Sequence, residues 1–224
     1  MTATLLALDT ATEACSAALL HKGQVYQRAE VIPRLHAQRL LPMIDEVLSE
    51  AGISLSAVDA LVFGRGPGAF TGVRIATGMV QGLAFAADKP VIGISNLAAL
   101  AQRAWREHGV EQVCAAIDAR MDEVYWGCYQ LQDGVMTLVG EESVCAPELV
   151  SLAAPLDNPA GAGTGWQYAE RLAVKASANW PQMLPDAVDL LSLAQPAFQA
   201  GQMLDAADAQ PVYLRDKVAT PKQP

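Results

Sequence analysis

The chain has 224 residues, of which 52% are apolar and 17% are charged, and its formal net charge at pH 7 is −9. This length accommodates one large domain or two small lobes with a substantial core. The negative charge argues against unaided binding to a nucleic-acid backbone, so any contact with RNA is expected to go through a basic partner.

The four cysteines, at positions 15, 114, 128 and 145, form no Cys-x-x-Cys pair. This pattern is typical of reduced, mostly buried thiols in a cytoplasmic protein. Residues 1–8 are apolar but few, lack a basic leader and are followed by Asp9, so they do not predict a signal peptide. Residues 73–87 are too few to span a bilayer. We therefore expect a cytoplasmic protein with no membrane segment.

Apolar runs and their spacing predict the elements of the first half, with strands at 5–8, 15–20, 24–30, 60–63 and 91–94 and helices at 36–51, 73–87 and 97–108. In the first of these helices, apolar residues recur at helical spacing and form one stripe: Leu40, Ile44, Val47, Leu48 and Ala51. Pro42 predicts a kink or a late start of its regular part, and Gly52 is a suitable stop.

The pattern then partly restarts, with strands at 113–117, 123–130 and 136–144 and a helix near 166–178. Three strands, helix, strand and helix, seen twice, predict an α/β fold of two lobes built from a duplicated βββαβα unit. The predicted domains are an N-terminal lobe (1–108) carrying the partner-binding helices, a C-terminal lobe (109–210), and a tail (211–224) that packs back on the N-terminal lobe.

A glycine-rich segment, residues 64–74 (the glycine loop), lies between the strand at 60–63 and the helix at 73–87. It formally matches Gly-x-Gly-x-x-Ala, but Pro67 stiffens the turn, three strands precede it, and only Asp88 has a suitable spacing. No lysine follows the last glycine, as a Walker loop requires. The pattern therefore argues against a dinucleotide site.

Asp9 and Thr10 follow the first strand, where two interpretations stay open. The segment could face a phosphate, with Asp9 toward a hydrated Mg²⁺. Alternatively, both side chains close a strand end by bonding nearby backbone. At the corresponding place in the second half, Arg120 and Met121 replace small residues, which argues against a tight phosphate clamp across both lobes. Arg120 could still reach a ligand or a partner.

Catalytic and metal-binding patterns are missing from the sequence. Its three histidines, His21, His36 and His108, form no pair at helical spacing and no cluster with cysteine. No serine has the Gly-x-Ser-x-Gly setting of a nucleophile elbow. We therefore predict no catalytic residue and no metal site.

Five segments, in this order, resemble a known family: Leu-Asp-Thr-Ala-Thr at 8–12, His-Ala-Gln-Arg-Leu-Leu-Pro at 36–42, the glycine loop, Ile-Asp-Ala-Arg at 117–120 and Pro-Val-Tyr-Leu-Arg at 211–215. Together they resemble the TsaB (YeaZ) family of the bacterial tRNA threonylcarbamoyladenosine machinery. The resemblance covers nearly the whole chain and is weakest over 150–182. It implies the actin-like, ribonuclease H-like fold shared with Hsp70 and the sugar kinases, in agreement with the duplicated unit.

The resemblance also implies a role. In this family the chain pairs with its catalytic relative TsaD, and with the ATPase TsaE, to transfer threonylcarbamoyl from threonylcarbamoyl-AMP to N6 of adenosine 37 in tRNAs that read codons beginning with adenine. It implies a heterodimer with TsaD, contact with tRNA only through the complex, and a homodimer when TsaD is absent. TsaD carries a metal-binding His-x-x-x-His whose positions match Asn96 and Leu100, and leucine cannot ligate a metal. A non-catalytic scaffold or activating subunit is therefore expected.

Pairing in this family is expected to use a bundle formed by the first two helices. The helix at 73–87 is apolar on nearly every side, which is typical of a helix buried in its own domain or against another subunit, and we favour the interface. The expected interface residues are His36, Leu40, Ile44, Val47, Gly72, Val73, Ala76, Gly78, Met79 and Gly82.

No intrinsic cofactor is expected, and ATP or ADP could lie at the subunit interface of the complex. The candidate nucleotide contacts are Asp9, Thr10, Arg65 and Arg120. Asp9, Thr10 and the 163–165 loop also motivate one alternative function, a stand-alone actin-like ATPase or small-molecule kinase. A metallopeptidase is a further alternative, which the missing histidine pair disfavours.

Overall fold

The computed structural model describes residues 3–215 and contains two five-stranded sheets. The first sheet consists of β1 (Leu5–Asp9), β2 (Ala14–His21), β3 (Gln24–Val31), β4 (Ala60–Gly64) and β5 (Val91–Ile94). Its order is β3-β2-β1-β4-β5; β1, β2 and β3 are antiparallel, and β4 and β5 run parallel to β1.

The second sheet consists of β6 (Gln112–Arg120), β7 (Glu123–Gln132), β8 (Val135–Cys145), β9 (Ala160–Ala162) and β10 (Asn179–Trp180). Its order is β8-β7-β6-β9-β10, the same as that of the first sheet taken strand for strand. Each sheet has three antiparallel strands followed by two parallel ones. This agreement confirms the predicted duplicated α/β architecture, which is the actin-like, ribonuclease H-like fold.

The helices are α1 (His36–Ala51), α2 (Phe70–Ala87), α3 (Asn96–His108) and α4 (Ala187–Gln199). Because side chains alternate along a strand, β1 contributes to two cores. Leu6 and Leu8 pack with α1 and α2 on one face of the first sheet, and Leu5 and Ala7 pack with α4 on the other. Both faces of β1 are therefore covered.

The helices α3 and α4 each pack on the sheet of the other half of the chain. Leu97 and Leu100 of α3 lie in a core with Val113 and Ile117 of β6, whereas α4 packs on the first sheet. The proposed domain boundaries at residues 108 and 210 stay a prediction, and this exchange shows that the two sheets are not covered independently.

The predicted helix near 166–178 is wrong. The chain there forms only a 3-10 turn, Thr164–Tyr168, followed by irregular backbone that leads to β10. Leu172 and Val174 are both buried, and the residues between and beside them are exposed. Burial at positions two apart does not follow helical spacing, so tertiary packing overrides the helix propensity of this alanine-rich segment.

Two further helices differ from the sequence-based expectation. The helix α2 begins at Phe70, three residues before its predicted start, so its first turn includes the end of the glycine loop. The helix α4 was not predicted; its N-cap Asp186 accepts the N–H of Val188 at 3.1 Å. Within residues 3–215, no helix combines the length and apolar character that crossing a bilayer requires.

Candidate functional site

The glycine loop packs directly on the loop between β1 and β2. The N–H of Ala69 donates to the carbonyl of Ala11 at 2.7 Å, and the hydroxyl of Thr10 donates to the carbonyl of Gly72 at 2.7 Å. A Cβ atom at Gly68 would overlap the Ala11 carbonyl, and one at Gly72 would overlap that of Thr10. The glycines therefore permit close contact between two backbones and seal the β1–β2 loop.

Asp9 lies fully buried beneath this seal, and Asn96 holds it in place. Asn96 donates from Nδ2 to Oδ1 of Asp9 at 2.6 Å, and its own Oδ1 accepts the N–H of Gly66 at 2.8 Å. Burial raises the pKa of Asp9 to about 6, while hydrogen bonds from Asn96 and the backbone of Ala11 oppose that rise. Asn96 thus links the carboxylate to the glycine loop.

Asn96 and Leu100 occupy the positions that the family resemblance matches to the TsaD metal pair. Both residues are fully buried; Asn96 bonds Asp9, and Leu100 lies in the core between α3 and the second sheet. An amide that already bonds two protein groups and a leucine make a poor donor set for a transition metal. Within the described part of the chain, no group of three or more metal-ligating side chains is found.

The four candidate nucleotide contacts do not line one open cavity. Asp9 and Thr10 are buried under the glycine loop, and Arg65 is half-buried with its Nε unpaired among the described residues. The Arg120 side chain is 76% exposed at the β6–β7 turn, 3.0 Å from Asp118. Arg120 also pairs with Glu13 of the β1–β2 loop at 3.5 Å. Nucleotide contact by the four residues stays a prediction.

The candidate interface residues of α1 face the interior of this chain. Leu40, Ile44 and Val47 are buried against the first sheet, which removes their side chains from contact with a partner. His36 is also buried, and its Nε2 has no hydrogen-bond partner among the described residues. The apolar stripe predicted from helical spacing is present on α1, but it packs in the chain's own core.

The candidate residues of α2 divide between two faces of the helix. Gly72, Val73 and Ala76 are buried in the chain, so the chain's own core already covers these three positions. Gly78 and Gly82 are exposed, with no atom within 4 Å of a Cβ built on either. The helix is therefore not buried on every side within this chain.

The outer face of α2, which we call the α2 face, is largely apolar. It consists of Thr71, Ile75, Gly78, Met79, Gly82, Phe85 and Ala86. The Phe85 residue is 86% exposed, which is unusual for a large aromatic residue. Phe85 is not among the predicted interface residues, although it follows Gly78 and Gly82 at helical spacing. An exposed apolar face of this kind is typical of an interaction surface.

The C-terminal segment, Ala209 to Arg215, runs along α2 and the glycine loop. The N–H of Val212 donates to the carbonyl of Arg65 at 2.7 Å, and Gln81 donates from Nε2 to the carbonyl of Ala209 at 2.9 Å. Farther along, the guanidinium of Arg215 pairs with Glu123 at the β6–β7 turn. The described part of the predicted tail, 211–215, thus lies against the N-terminal lobe and reaches the second; residues 216–224 lie outside the described residues.

A carboxylate joins the two halves next to the Asp9 site. Glu142 of β8 accepts hydrogen bonds from the hydroxyls of Ser95, the N-cap of α3, and of Tyr129 on β7. Burial, with the adjacent Glu142 as a further cause, raises the pKa of Tyr129 well above its ordinary value. The hydroxyl of Tyr129 therefore stays protonated and remains a donor to Glu142.

The two sheets have the same strand order, and the glycine loop packs over the β1–β2 loop. These features define a two-lobed protein of the actin-like class. Residues 27–219 match the family described as "TsaD: tRNA N6-adenosine threonylcarbamoyltransferase". Two relatives named "tRNA threonylcarbamoyladenosine biosynthesis protein TsaB" are similar over nearly their whole length. The protein from Haemophilus influenzae is 46% identical over 99% of this chain and 97% of its own, and that from Escherichia coli is 45% identical over 98% of each.

A solved structure, "YeaZ from Pseudomonas aeruginosa", is 62% identical and superposes with a TM-score of 0.92 over 95% of this chain and 100% of its own. These similarities extend over both sheets. The chain belongs to the TsaB (YeaZ) family.

Proposed function

We propose that the chain serves tRNA threonylcarbamoyladenosine biosynthesis as a non-catalytic subunit that binds a TsaD-type partner. The names of its relatives and the family match over 27–219 support the process. The observation that carries the non-catalytic role is the buried bond between Asn96 and Asp9 at 2.6 Å, at the place where the resemblance puts a metal pair in TsaD. Asn96 and Leu100 supply core contacts there in place of metal ligands.

The α2 face is the proposed docking surface. Its open glycines would let the backbone of a partner helix approach closely, and a partner would remove Phe85 from water. Met79, which is half-buried, adds an adaptable apolar side chain between them. We restrict the interface on α2 to this face because the opposite side is already used by the first sheet.

The remaining parts of the proposed function are those expected of a TsaB-family chain. The TsaD heterodimer takes up the ATPase TsaE, meets tRNA only as a complex and works in the cytoplasm, with ATP or ADP at a subunit boundary. The acidic net charge of −9 supports indirect contact with tRNA, because a lone acidic chain repels phosphates. Without TsaD, the exposed apolar α2 face favours a homodimer.

The stand-alone ATPase or kinase is the less favoured alternative. In such a protein the β1–β2 loop would need free donors toward a phosphate. Here the Thr10 hydroxyl already donates to Gly72, and the loop's carbonyls meet the glycine loop. No observation on the described residues favours a metallopeptidase.

A reconstitution experiment tests the proposal. Threonylcarbamoyladenosine formation on tRNA is measured with TsaD and TsaE, in the presence and absence of this chain. The Phe85→Arg variant should lose both binding to TsaD and support of the reaction, because it places a charge in the apolar contact. Leu149→Arg is the matched control, since Leu149 is a similarly exposed residue of the second lobe, 72% accessible. Equal binding by the two variants would contradict the proposed docking surface.

A further inference from the structure

We propose that Arg74 binds a carboxylate of the TsaD-type partner in a groove between α2 and the C-terminal segment. This inference rests on the proposed docking surface and adds the chemistry of one anchor point at its edge. The groove has a volume of about 290 Å³ and is lined by Arg74, Thr77, Gly78, Gln81, Gln210, Pro211 and Tyr213. Gly78 belongs to the α2 face as well, so the groove is continuous with that face.

The guanidinium of Arg74 is held in position before any partner arrives. Its Nε donates to the hydroxyl of Tyr213 at 2.8 Å, and its Cζ lies 3.6 Å from the centre of the Phe70 ring. The rings of Phe70 and Tyr213 are themselves in contact, with centroids 5.8 Å apart. A cation held by two aromatic rings and one hydroxyl has already given up much of the side-chain freedom that binding would otherwise cost.

Arg74 differs from most arginines of this acidic chain in having no acidic partner in the part of the chain that the structure describes. Among the described residues, no carboxylate lies within 4.0 Å of it, whereas the following arginines are each paired: Arg28, Arg39, Arg103, Arg106, Arg120, Arg171 and Arg215. Arg74 is exposed, and its Nη1 and Nη2 make no hydrogen bond with the described residues. These two groups form the fork that binds a carboxylate in bidentate fashion.

The groove suits a protein carboxylate better than a nucleotide phosphate. Among the described residues, no carboxylate lines it, so none of them repels an incoming anion there. Its described lining contains one cationic side chain, that of Arg74, and the amide of Gln81 already donates to the Ala209 carbonyl. Phosphate sites normally combine several backbone N–H groups or a helix N-terminus. Within residues 3–215, the lining of this groove does not include the first turn of any helix. The occupant is therefore an Asp or Glu side chain, or the terminal carboxylate, of the partner.

The first test compares two charge-removing variants of the full-length chain in binding to TsaD from the same organism. Arg74→Gln should weaken binding about tenfold to a hundredfold, as expected for losing a charge-assisted pair, and should reduce the salt dependence. Lys175→Gln, which removes one charge from the second lobe, should change binding less than about twofold. Binding by Arg74→Gln within about twofold of wild type would overturn the inference.

A second test identifies the anion. In the Arg74→Lys variant bound to TsaD, a water-soluble carbodiimide should join the new amine to the adjacent carboxylate with loss of water. Mass spectrometry of the linked peptides should then show one Asp, Glu or C-terminal residue of TsaD. A complex that forms but yields no such link, or that depends on Arg74 only when nucleotide is added, would overturn the carboxylate assignment.

The outcomes separate this inference from the docking surface on which it rests. If Phe85→Arg abolishes the complex while Arg74→Gln binds normally, the α2 face stands and the Arg74 anchor is wrong. If Phe85→Arg binds normally, the docking surface itself is wrong. Circular dichroism and thermal unfolding of each variant confirm that the chain is folded, which the exposure of both side chains leads us to expect.

Discussion

The side-chain amide of Asn96 and the carboxylate of Asp9 form a 2.6 Å hydrogen bond, although the two residues lie 87 positions apart. They meet because β1 and β5 run in the same direction and end at the same edge of the first sheet, where α3 begins. The glycine loop closes over them through Gly66. This contact replaces an open site with a core hydrogen-bond network.

The buried carboxylate of Asp9 should make stability depend on pH. Its pKa is about 6 in the folded chain against an ordinary value of 3.8, so the folded state holds a proton that the unfolded state has released. The free energy of unfolding should therefore fall as pH rises between these values, by on the order of 3 kcal/mol, and level off above them. Asp9→Asn should remove this component. The measurement is urea unfolding of both proteins from about pH 4 to pH 8.

For each protein, the free energy of unfolding is plotted against pH. The difference between the wild-type and Asp9→Asn plots isolates the contribution of Asp9 from that of other titrating groups. Asn is close in shape, and its Oδ1 can still accept from Asn96. Asp9→Asn should thus gain stability relative to wild type at high pH and lose that advantage at low pH. Parallel curves across the whole range would show that Asp9 does not titrate near pH 6.

Asn96→Ala, which removes the amide partner of Asp9, should lower the free energy of unfolding more than Asp9→Asn, which removes the charge. Asn96→Ala leaves Oδ1 of Asp9 and the Gly66 N–H buried without the Asn96 amide, and each lost hydrogen bond of this kind costs about 1–3 kcal/mol. The pKa of Asp9 should rise further, because the Asn96 hydrogen bond now lowers it. Chemical denaturation and NMR titration of the Asp9 carboxyl group measure the two effects. Asn179→Ala, at an exposed position in β10, is the control and should be nearly neutral.

Two glycines of the same helix should respond in opposite ways to alanine. At Gly72 the new Cβ would overlap the Thr10 carbonyl, so Gly72→Ala should separate the glycine loop from the β1–β2 loop and destabilise the chain by more than about 2 kcal/mol. Gly78 has open space around it, and Gly78→Ala should stabilise the helix by up to about 1 kcal/mol. Thermal unfolding of the two variants checks this pair, and equal shifts would contradict the proposed seal.

Much of the fold was accessible from the sequence because its elements carry strong local patterns. The continuous apolar run of β1 and the helical spacing of Leu40, Ile44 and Val47 led to the observed strand and helix. The helix expected near 166–178 failed for a tertiary reason. Trp166 packs against Gly161 and donates to the Cys114 carbonyl, and the chain beyond it runs through turns and bends to β10.

The candidate site was harder to predict because an apolar stripe on a helix does not reveal whether the chain's own sheet or a partner covers that stripe. The stripe on α1 suited a partner as well as the chain's own sheet, and only the structure shows that the sheet takes it. The contact between Asp9 and Asn96 depends on the edge that β1 and β5 share, which local spacing does not encode. Tyr213 stood in a recognised motif, but its contact with Arg74 joins positions 139 residues apart.

The ion pair between Arg106 of α3 and Asp189 of α4 should hold the two halves of the chain together. Its two hydrogen bonds measure 2.8 and 2.9 Å, and it joins the helix that packs on the second sheet to the one that packs on the first. Asp189 is fully buried, whereas the Arg106 side chain is 38% exposed. Arg106→Met should therefore leave a buried carboxylate unpaired and cost about 3 kcal/mol.

The pH dependence of this variant provides the check. Burial raises the pKa of Asp189 and its bond with Arg106 lowers it, so removing Arg106 raises the pKa further. The loss of stability should then be largest at high pH, where Asp189 must ionise in the folded chain, and should shrink as pH falls and the carboxyl group takes up a proton. Adding Asp189→Asn to Arg106→Met should recover part of the stability at high pH. If unfolding measurements show the same loss at every pH and no recovery, the pair contributes through side-chain packing and not through charge.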